Sequence, residues 1–336
     1  MLVLFLSTSA ARAQPADLQF FGDVLINAKT LRRTHSTAAN PNLFAGSAAL
    51  LNSSRHNIVN LEGVITTTLA PFEAKQFLLR MPPSAAQILR TAGIDAVTLA
   101  NNHTMDFGFA GLLSTLTSLA RADIASTGAG INQSAASLPV IIKLKHQSIC
   151  LLAFSKTLPS AFWATTRRAG SAFGAESLVT ERISACAARG FFTVVAFHWG
   201  KEGEHEALPY QKDLAHLAIE AGGDLIIGHH PHNLQEIEIY RDKPIFYSLG
   251  NFAFGSEPEV GNQQGMAVRL TFTEDHPREP KVVVIPLSVD NHTVHFVPQL
   301  MSKVEADLLQ PQITALRSCQ WRQTRWNCPF YGHEAL

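Results

Sequence analysis

The sequence predicts an α/β fold, a two-sheet β-sandwich flanked by helices. Short apolar or β-branched runs recur from residue 18 to residue 230, with helix-like stretches between them. After residue 233 the pattern changes to runs that read as paired antiparallel strands. Hydrophobic residues make up 46% of the chain and charged residues only 16%, which suits a sizeable core and excludes disorder.

Taken in order, Leu18-Gln19-Phe20-Phe21 reads as a strand that ends in Gly22-Asp23. Ile58-Val59 leads into Asn60-Leu61-Glu62-Gly63. A helix over residues 84–92 follows Pro82-Pro83, with Ser84 as N-cap and Gly93 as its stop. Ala96 to Ala100 leads into Asn101-Asn102-His103-Thr104-Met105-Asp106. The helix over 111–121 carries leucines at 112, 113, 116 and 119, read as one face. Residues 139–144 and 149–154 form a hairpin signal, and 159–174 a loop over the site. Helices over 177–188 and 210–221 precede strands beginning near Thr193 and Asp224. The first of these strands ends in His198-Trp199-Gly200. Later strands are expected at 234–240, 245–248, 266–273 and 281–287, with a further one at 293–297. The organisation is thus a domain over 17–300 and a C-terminal tail over 301–336, helical and then Cys-bearing.

The strand ends carry the chemistry. Gly228-His229-His230-Pro231-His232 leaves the buried run Asp224-Leu225-Ile226-Ile227. Imidazole is the commonest side-chain ligand of transition metals, and the proline stiffens this turn. Each of the other strand ends delivers Asp, Glu, Asn or His. In a sheet covered by helices, ligands gather beyond the carboxyl ends of strands, so the five ends point to one metal cluster. His35, His56, His146, His205 and His216 read as surface or helix-face residues.

Composition narrows the partners and the compartment. Lys+Arg and Asp+Glu are equal at 27 each, which argues against nucleic-acid binding. No apolar run approaches the roughly twenty residues of a membrane helix. Residues 1–13 read as the remnant of a signal peptide, because Met1 to Leu6 is apolar and Ala11-Arg12-Ala13 fits a small-x-small cleavage site. No basic segment precedes it, so the expected start lies upstream. This implies export to the periplasm or cell surface. Cys150 and Cys186 read as buried small hydrophobes. In an exported protein Cys319 and Cys328 would form a disulfide. The chain has no Cys-x-x-Cys, so a thiolate zinc site is not expected.

Six motifs together carry a resemblance. They are Gly22-Asp23, Asn60-Leu61-Glu62-Gly63, Asn101 to Gly108, His198-Trp199-Gly200-Lys201-Glu202, Gly228 to His232, and Ser248-Leu249-Gly250-Asn251-Phe252. Their order over residues 18–255 resembles the bacterial capsule-synthesis family CapA, which serves poly-γ-glutamate biosynthesis. That family in turn resembles the calcineurin-like metallophosphoesterases, so the sandwich is expected to be metallophosphoesterase-like. The resemblance implies Asp23, Glu62, Asn102, His198, His230 and His232 as metal ligands. It implies His103 as a catalytic group beside the leaving group, with Asp106 orienting it. Asn60, Asn101, Glu202, His229 and Asn251 are expected against substrate.

This chain also departs from the phosphoesterase pattern. Asp23 is followed by Val24-Leu25 and not by x-His, Asn101 replaces a glycine, and the bridging acid is the longer Glu62. Gly203 follows Glu202 where family members often have Tyr. The missing imidazole bears on the second metal position more than on the first. Carboxylate, amide and imidazole donors suit one or two divalent ions such as Mn, Fe or Zn, and not Ca. Such ions activate water and clamp phosphate. The expected function is an exported metal-dependent hydrolase acting on a phosphoester or an anionic polymer, beside membrane-bound polymer synthase subunits. The alternative is a non-catalytic assembly or export factor for that polymer.

Overall fold

The structure, a computed structural model, describes residues 16–72, 75, 77–255 and 264–331. The expected signal remnant at 1–13 lies outside the described residues. Two sheets dominate. One has ten strands, and its central path joins Lys281–Ser288, Gln264–Thr271, Ala16–Leu25, Ser54–Leu61, Ala96–Thr98 and Ala125–Thr127. The other has six, with Ser148–Ser155, Phe192–His198, Leu225–His229 and Lys243–Phe246 running parallel at its centre.

The side-chain period of two explains why these strands are apolar on both faces. Leu18, Phe20, Ile58 and Ala96 meet Ile149, Leu151, Val194, Leu225 and Ile227 between the sheets. Val59 and Val97 turn to the outer side, where Ile88, Leu89, Leu112 and Leu119 of the covering helices meet them. On the second sheet Leu152, Phe154, Val195, Phe197 and Ile226 face Val179, Ile183, Leu214 and Ala218 of the helices Glu176–Ala187 and Pro209–Glu220. The molecule is therefore a two-sheet sandwich flanked by helices.

Several elements differ from their sequence reading. The first strand does not stop at Phe21 but runs through Asp23 to Leu25, with a register shift between Phe20 and Asp23. A bulge there lets the strand continue while changing where its side chains point. The helix Ala85–Thr91 has Ser84 before it, yet the serine makes no capping bond. Leu113 faces solvent, whereas Leu112 and Leu119 are buried. The expected strand at 293–297 is instead a helical turn, Asn291–Val294, capped by the Asp290 carboxylate. The loop at 159–174 includes a 3-10 turn at Ser160–Phe162 and a two-residue strand at Gly170–Ser171.

Beyond residue 300, Arg325–Cys328 pairs with Lys281–Ser288, and Trp326 is fully buried in the inter-sheet core. Cys319 and Cys328 form a disulfide there. Cys150 and Cys186 also form one, so they are not the separate small hydrophobes that the sequence suggested. The strand period gives the reason. Cys150 shares the outward face of Leu152 and Phe154, directly under the helix that carries Cys186.

With both pairs formed, thiol titration of native protein from an oxidising compartment should find none of the four cysteines reactive, and all four after reduction and unfolding. Immediate labelling of Cys150 or Cys319 would contradict the pairing.

Candidate metal centre

The carboxyl ends of the central strands of both sheets converge on one buried site. Two close backbone approaches make this possible. A Cβ on Gly22 would lie 1.9 Å from the Gly250 carbonyl oxygen, and one on Gly228 would lie 1.8 Å from that of Tyr247. Only glycine fits either place. After Gly228 the chain turns sharply, with positive φ at His230 (96°) and His232 (56°). Such backbone costs roughly 1 kcal/mol or more where a side chain is present, and recurs at functional sites. Here it brings two rings back over the strand ends.

Glu62 is the hub. It follows the strand Ser54–Leu61 and is fully buried. Its Oε1 lies 3.5 Å from His198 Nε2, 3.8 Å from His232 Nε2 and 3.9 Å from His103 Nε2. Neither of its oxygens accepts a hydrogen bond. Two groups of ligand atoms share it: Glu62, His198 and His230 on one side, and Asp23, Glu62 and His232 on the other. Within each group the atoms lie within 4.8 Å of one another. The Asn102 Oδ1, 2.8 Å from His198 Nε2, adds an amide oxygen to the first group. His230 Nδ1 is buried without a hydrogen-bond partner.

These donors fit a divalent transition ion. Buried carboxylate oxygens and an imidazole nitrogen with no protein partner are costly unless a proton or a cation answers them. The six residues that sequence reasoning assigned as ligands are thus brought together, and the set contains nitrogen and oxygen but no sulfur.

The surrounding groups orient the donors. Asp23 Oδ1 accepts from Asn60 Nδ2 at 2.8 Å, and Oδ2 accepts from the His230 main-chain N–H at 3.2 Å. Asn60 Oδ1 in turn accepts from Thr98 Oγ1 at 3.2 Å. His232 Nδ1 lies 2.8 Å from Asn251 Oδ1, so the ring donates there and turns Nε2 toward Glu62. Asn101 Nδ2 donates to the Leu61 carbonyl at 2.9 Å, while its Oδ1 accepts from the His103 N–H at 3.1 Å. Asn60, Asn101 and Asn251, expected against substrate, are buried with their amides engaged by protein. His229 is also buried, with Nδ1 3.2 Å from Asp23 Oδ1. Glu202 is exposed.

His103 sits at the edge of this cluster, and its Nδ1 is 2.7 Å from Asp106 Oδ2. Lys75 was not singled out in the sequence. It stands in a loop without periodic pattern, yet its Nζ donates to Asp106 Oδ1 at 2.7 Å.

Burial and neighbouring charge set the protonation of the site. Burial pushes the Glu62 carboxyl up to about 7, with His232 opposing and Asp23 adding to the rise. Burial opposes a charge on His232, but Glu62, Asp23 and Asn251 together raise it to about 9. For Asp23, burial favours the neutral acid. His229 and His232 outweigh it and hold the carboxyl well below the usual range. Burial keeps His198 and His230 neutral, well below the ordinary histidine value. A neutral ring is the form that offers a lone pair to a cation.

Comparison with known proteins agrees with these motifs. The family model for bacterial capsule synthesis protein PGA_cap matches residues 17–256. The chain is 30% identical over 237 residues to the PGA biosynthesis protein CapA of Bacillus subtilis, covering 70% of this chain and 62% of that one. It is 32% identical over 184 residues to the capsule biosynthesis protein CapA of Bacillus anthracis, covering 54% and 45%. A probable polyglutamine synthesis accessory protein of Mycobacterium tuberculosis, Rv0574c, is 32% identical over 205 residues, 58% of this chain and 54% of its own. The matched part thus spans less than two thirds of the length of these relatives. Among solved structures, the Haemophilus influenzae NAD nucleotidase is similar with a TM-score of 0.41 at 14% identity, covering 85% of this chain and 49% of that one. The Thermus thermophilus sulfate thiohydrolase SoxB has a TM-score of 0.46 at 14% identity, covering 91% and 62%. With its model matched over residues 17–256, which carry every residue of the buried centre, this chain belongs to the bacterial capsule synthesis protein family PGA_cap.

Proposed function

We propose that this protein is an exported, metal-dependent hydrolase of capsule or poly-γ-glutamate biosynthesis, with a metallophosphoesterase-like site. The observation that carries this reading is the buried Glu62 carboxylate, shared by two donor groups and hydrogen-bonded to nothing. The substrate class is a phosphoester or an anionic polymer, and membrane-bound synthase subunits are the expected partners. Two disulfides and the small-x-small stretch ending at Ala13 support export.

Asp23, Glu62, Asn102, His198, His230 and His232 would hold the metal. Bound there, divalent ions supply Lewis acidity and lower the pKa of water. The protein's own residues do the rest. Asn60 and Asn251 hold Asp23 and His232 in register, and Asn101 shapes the turn that presents Asn102 and His103. His103 hands a proton to the leaving oxygen from Nε2, while Asp106 fixes the ring through Nδ1. Glu202 on the rim and His229 beside Asp23 bound the space for substrate.

The assembly-factor reading keeps one observation in its favour. The group of Asp23, Glu62 and His232 offers three donors where the other group, with Asn102, offers four.

Elemental analysis of purified protein should find at least one divalent transition ion per chain, lost in a His230→Ala, His232→Ala double variant. Full retention by that variant would remove the assignment.

Binding should also tighten with pH. A metal must displace protons from Glu62, at about 7, and from His232, at about 9. At pH 6 both hold a proton, and at pH 8 only His232 still does. Each displaced proton contributes about tenfold in affinity per pH unit below its pKa. Calorimetric titration should therefore show tighter binding at pH 8 than at pH 6, with proton release. Affinity that falls over this range would contradict these protonation states.

Catalysis separates from binding at His103. His103→Ala should keep its metal but lose about 10²–10⁴ in turnover on a phosphoester panel. Asp23→Ala should lose both. A parent protein that cleaves neither phosphoesters nor polymer, with normal polymer output from His103→Ala cells, would leave the assembly-factor reading.

A further inference from the structure

We infer that Lys75 is the positioning residue that fixes the His103–Asp106 pair, an inference that rests on the hydrolase reading above. Lys75 lies about thirty residues before the pair, in the loop between the short strands Val64–Ile65 and Arg80–Met81. Its ammonium group has three protons and accepts nothing. Nζ donates to Asp106 Oδ1 at 2.7 Å and to the Asn102 carbonyl oxygen at 2.7 Å. It lies 3.2 Å from His103 Nδ1, and the Phe162 ring supports it from below with its centroid 5.1 Å away. The Lys75 side chain is only 18% exposed and that of Asp106 is fully buried, so water screens this contact little.

The division of the carboxylate gives Lys75 its role. Asp106 Oδ1 faces the ammonium group. Oδ2 accepts from the Leu79 N–H at 2.7 Å and faces His103 Nδ1 at 2.7 Å. With one oxygen clamped on each side, the carboxylate cannot turn. Two acceptors at 2.7 Å would repel, so Nδ1 carries a proton that points at Oδ2, and the proton handed to the leaving oxygen is a second one, on Nε2 of the imidazolium. Nε2 is then the ring atom turned toward Glu62 Oε1, 3.9 Å away. Without Lys75, a buried carboxylate would lose its counter-charge and one of its clamps. The ring would lose the fixed orientation that proton transfer needs. The Asn102 carbonyl bond ties the same ammonium to the backbone beside a metal donor.

The test uses Lys75→Met and Lys75→Arg in the full chain, each first checked for native unfolding behaviour. If Lys75→Met does not fold, Lys75→Gln replaces it, since its amide can donate to Asp106 without the charge. The first readout is the downfield imidazole Nδ1–H proton signal of metal-free protein, assigned to His103 by its loss in His103→Ala. The signal should be sharp in the parent and in Lys75→Arg, and broadened or exchanged away in Lys75→Met. The second readout is kinetic. Lys75→Met should lower kcat on a phosphoester about 10- to 100-fold with KM and metal content unchanged, and Lys75→Arg should recover most of it. A folded Lys75→Met protein with the parent's signal overturns the inference, and so does one with the parent's kcat. If the parent cleaves neither phosphoester nor polymer, the hydrolase reading fails by itself, and the proton signal still decides the role of Lys75.

Discussion

Glu62 carries a carboxyl group that is fully buried, with neither oxygen hydrogen-bonded, between two sets of imidazoles. An ionised carboxylate in such a place costs several kcal/mol unless it is paired. Among the described residues no lysine or arginine pairs with it. The fold supplies His232, raised to about 9, and a carboxyl raised to about 7, so the site holds protons where a cation would sit. The rest of the interior is arranged around that condition. The strand ends bring in neutral rings, Asp23 stays ionised beside them, and buried amides keep each donor from turning away.

Placing these groups requires backbone that regular strands do not provide. The register shift before Asp23 lets the first strand run on while that side chain enters the site. Gly22 and Gly228 allow carbonyl oxygens of the crossing chain within a distance no Cβ would tolerate. His230 and His232 adopt positive φ, which the Gly203 and Asp23 hydrogen bonds around this turn help to hold. The strain sits next to the unsatisfied donors, a pairing that local stability alone would not favour.

Much of this was legible in the sequence, because strand-end residues follow a pattern that periodicity exposes. Five apolar runs of the two sheets could be read with the polar group that each delivers, whereas the strands Gln320–Arg322 and Arg325–Cys328 lay in a tail read as helical and then Cys-bearing. The family resemblance of the motifs at those ends implied the six donor residues, and the structure gathers them. What the sequence hid has a physical cause in each case. The disulfide between Cys150 and Cys186 depends on a helix crossing one face of a strand, a tertiary relation that spacing does not encode. Asn60, Asn101 and Asn251 stand at strand ends like the donors, and only their bonds distinguish orienting amides from exposed ones. Residues 293–297 alternate like a strand, but the Asp290 cap bends the chain into a helical turn first. Lys75 lies in a loop with no period at all, so nothing near it marks the contact with Asp106.

The two parts of the site differ in how they are held. Asp23 and His198 lie on strands within the sheets, with Glu62 one residue beyond a strand end. Their positions follow from ladder hydrogen bonds and a packed core, which resist displacement. His103 and Asp106 lie on the turn before the helix Gly108–Arg121, and Phe72, Lys75 and Leu79 bond to Asp106. Phe72 donates its N–H to the Asp106 carbonyl oxygen at 2.9 Å, while Leu79 and Lys75 bond the Asp106 carboxylate. The donors Asp23, His198 and Glu62 are therefore set by the sheets, whereas Asn102, His230 and His232 are set by turns and the His103 ring by the contacts around Asp106. Central strands open only with free energies near that of global unfolding, so the strand-borne donors are the most firmly placed part of the site, and the turn-borne donors and His103 are oriented against them by hydrogen bonds.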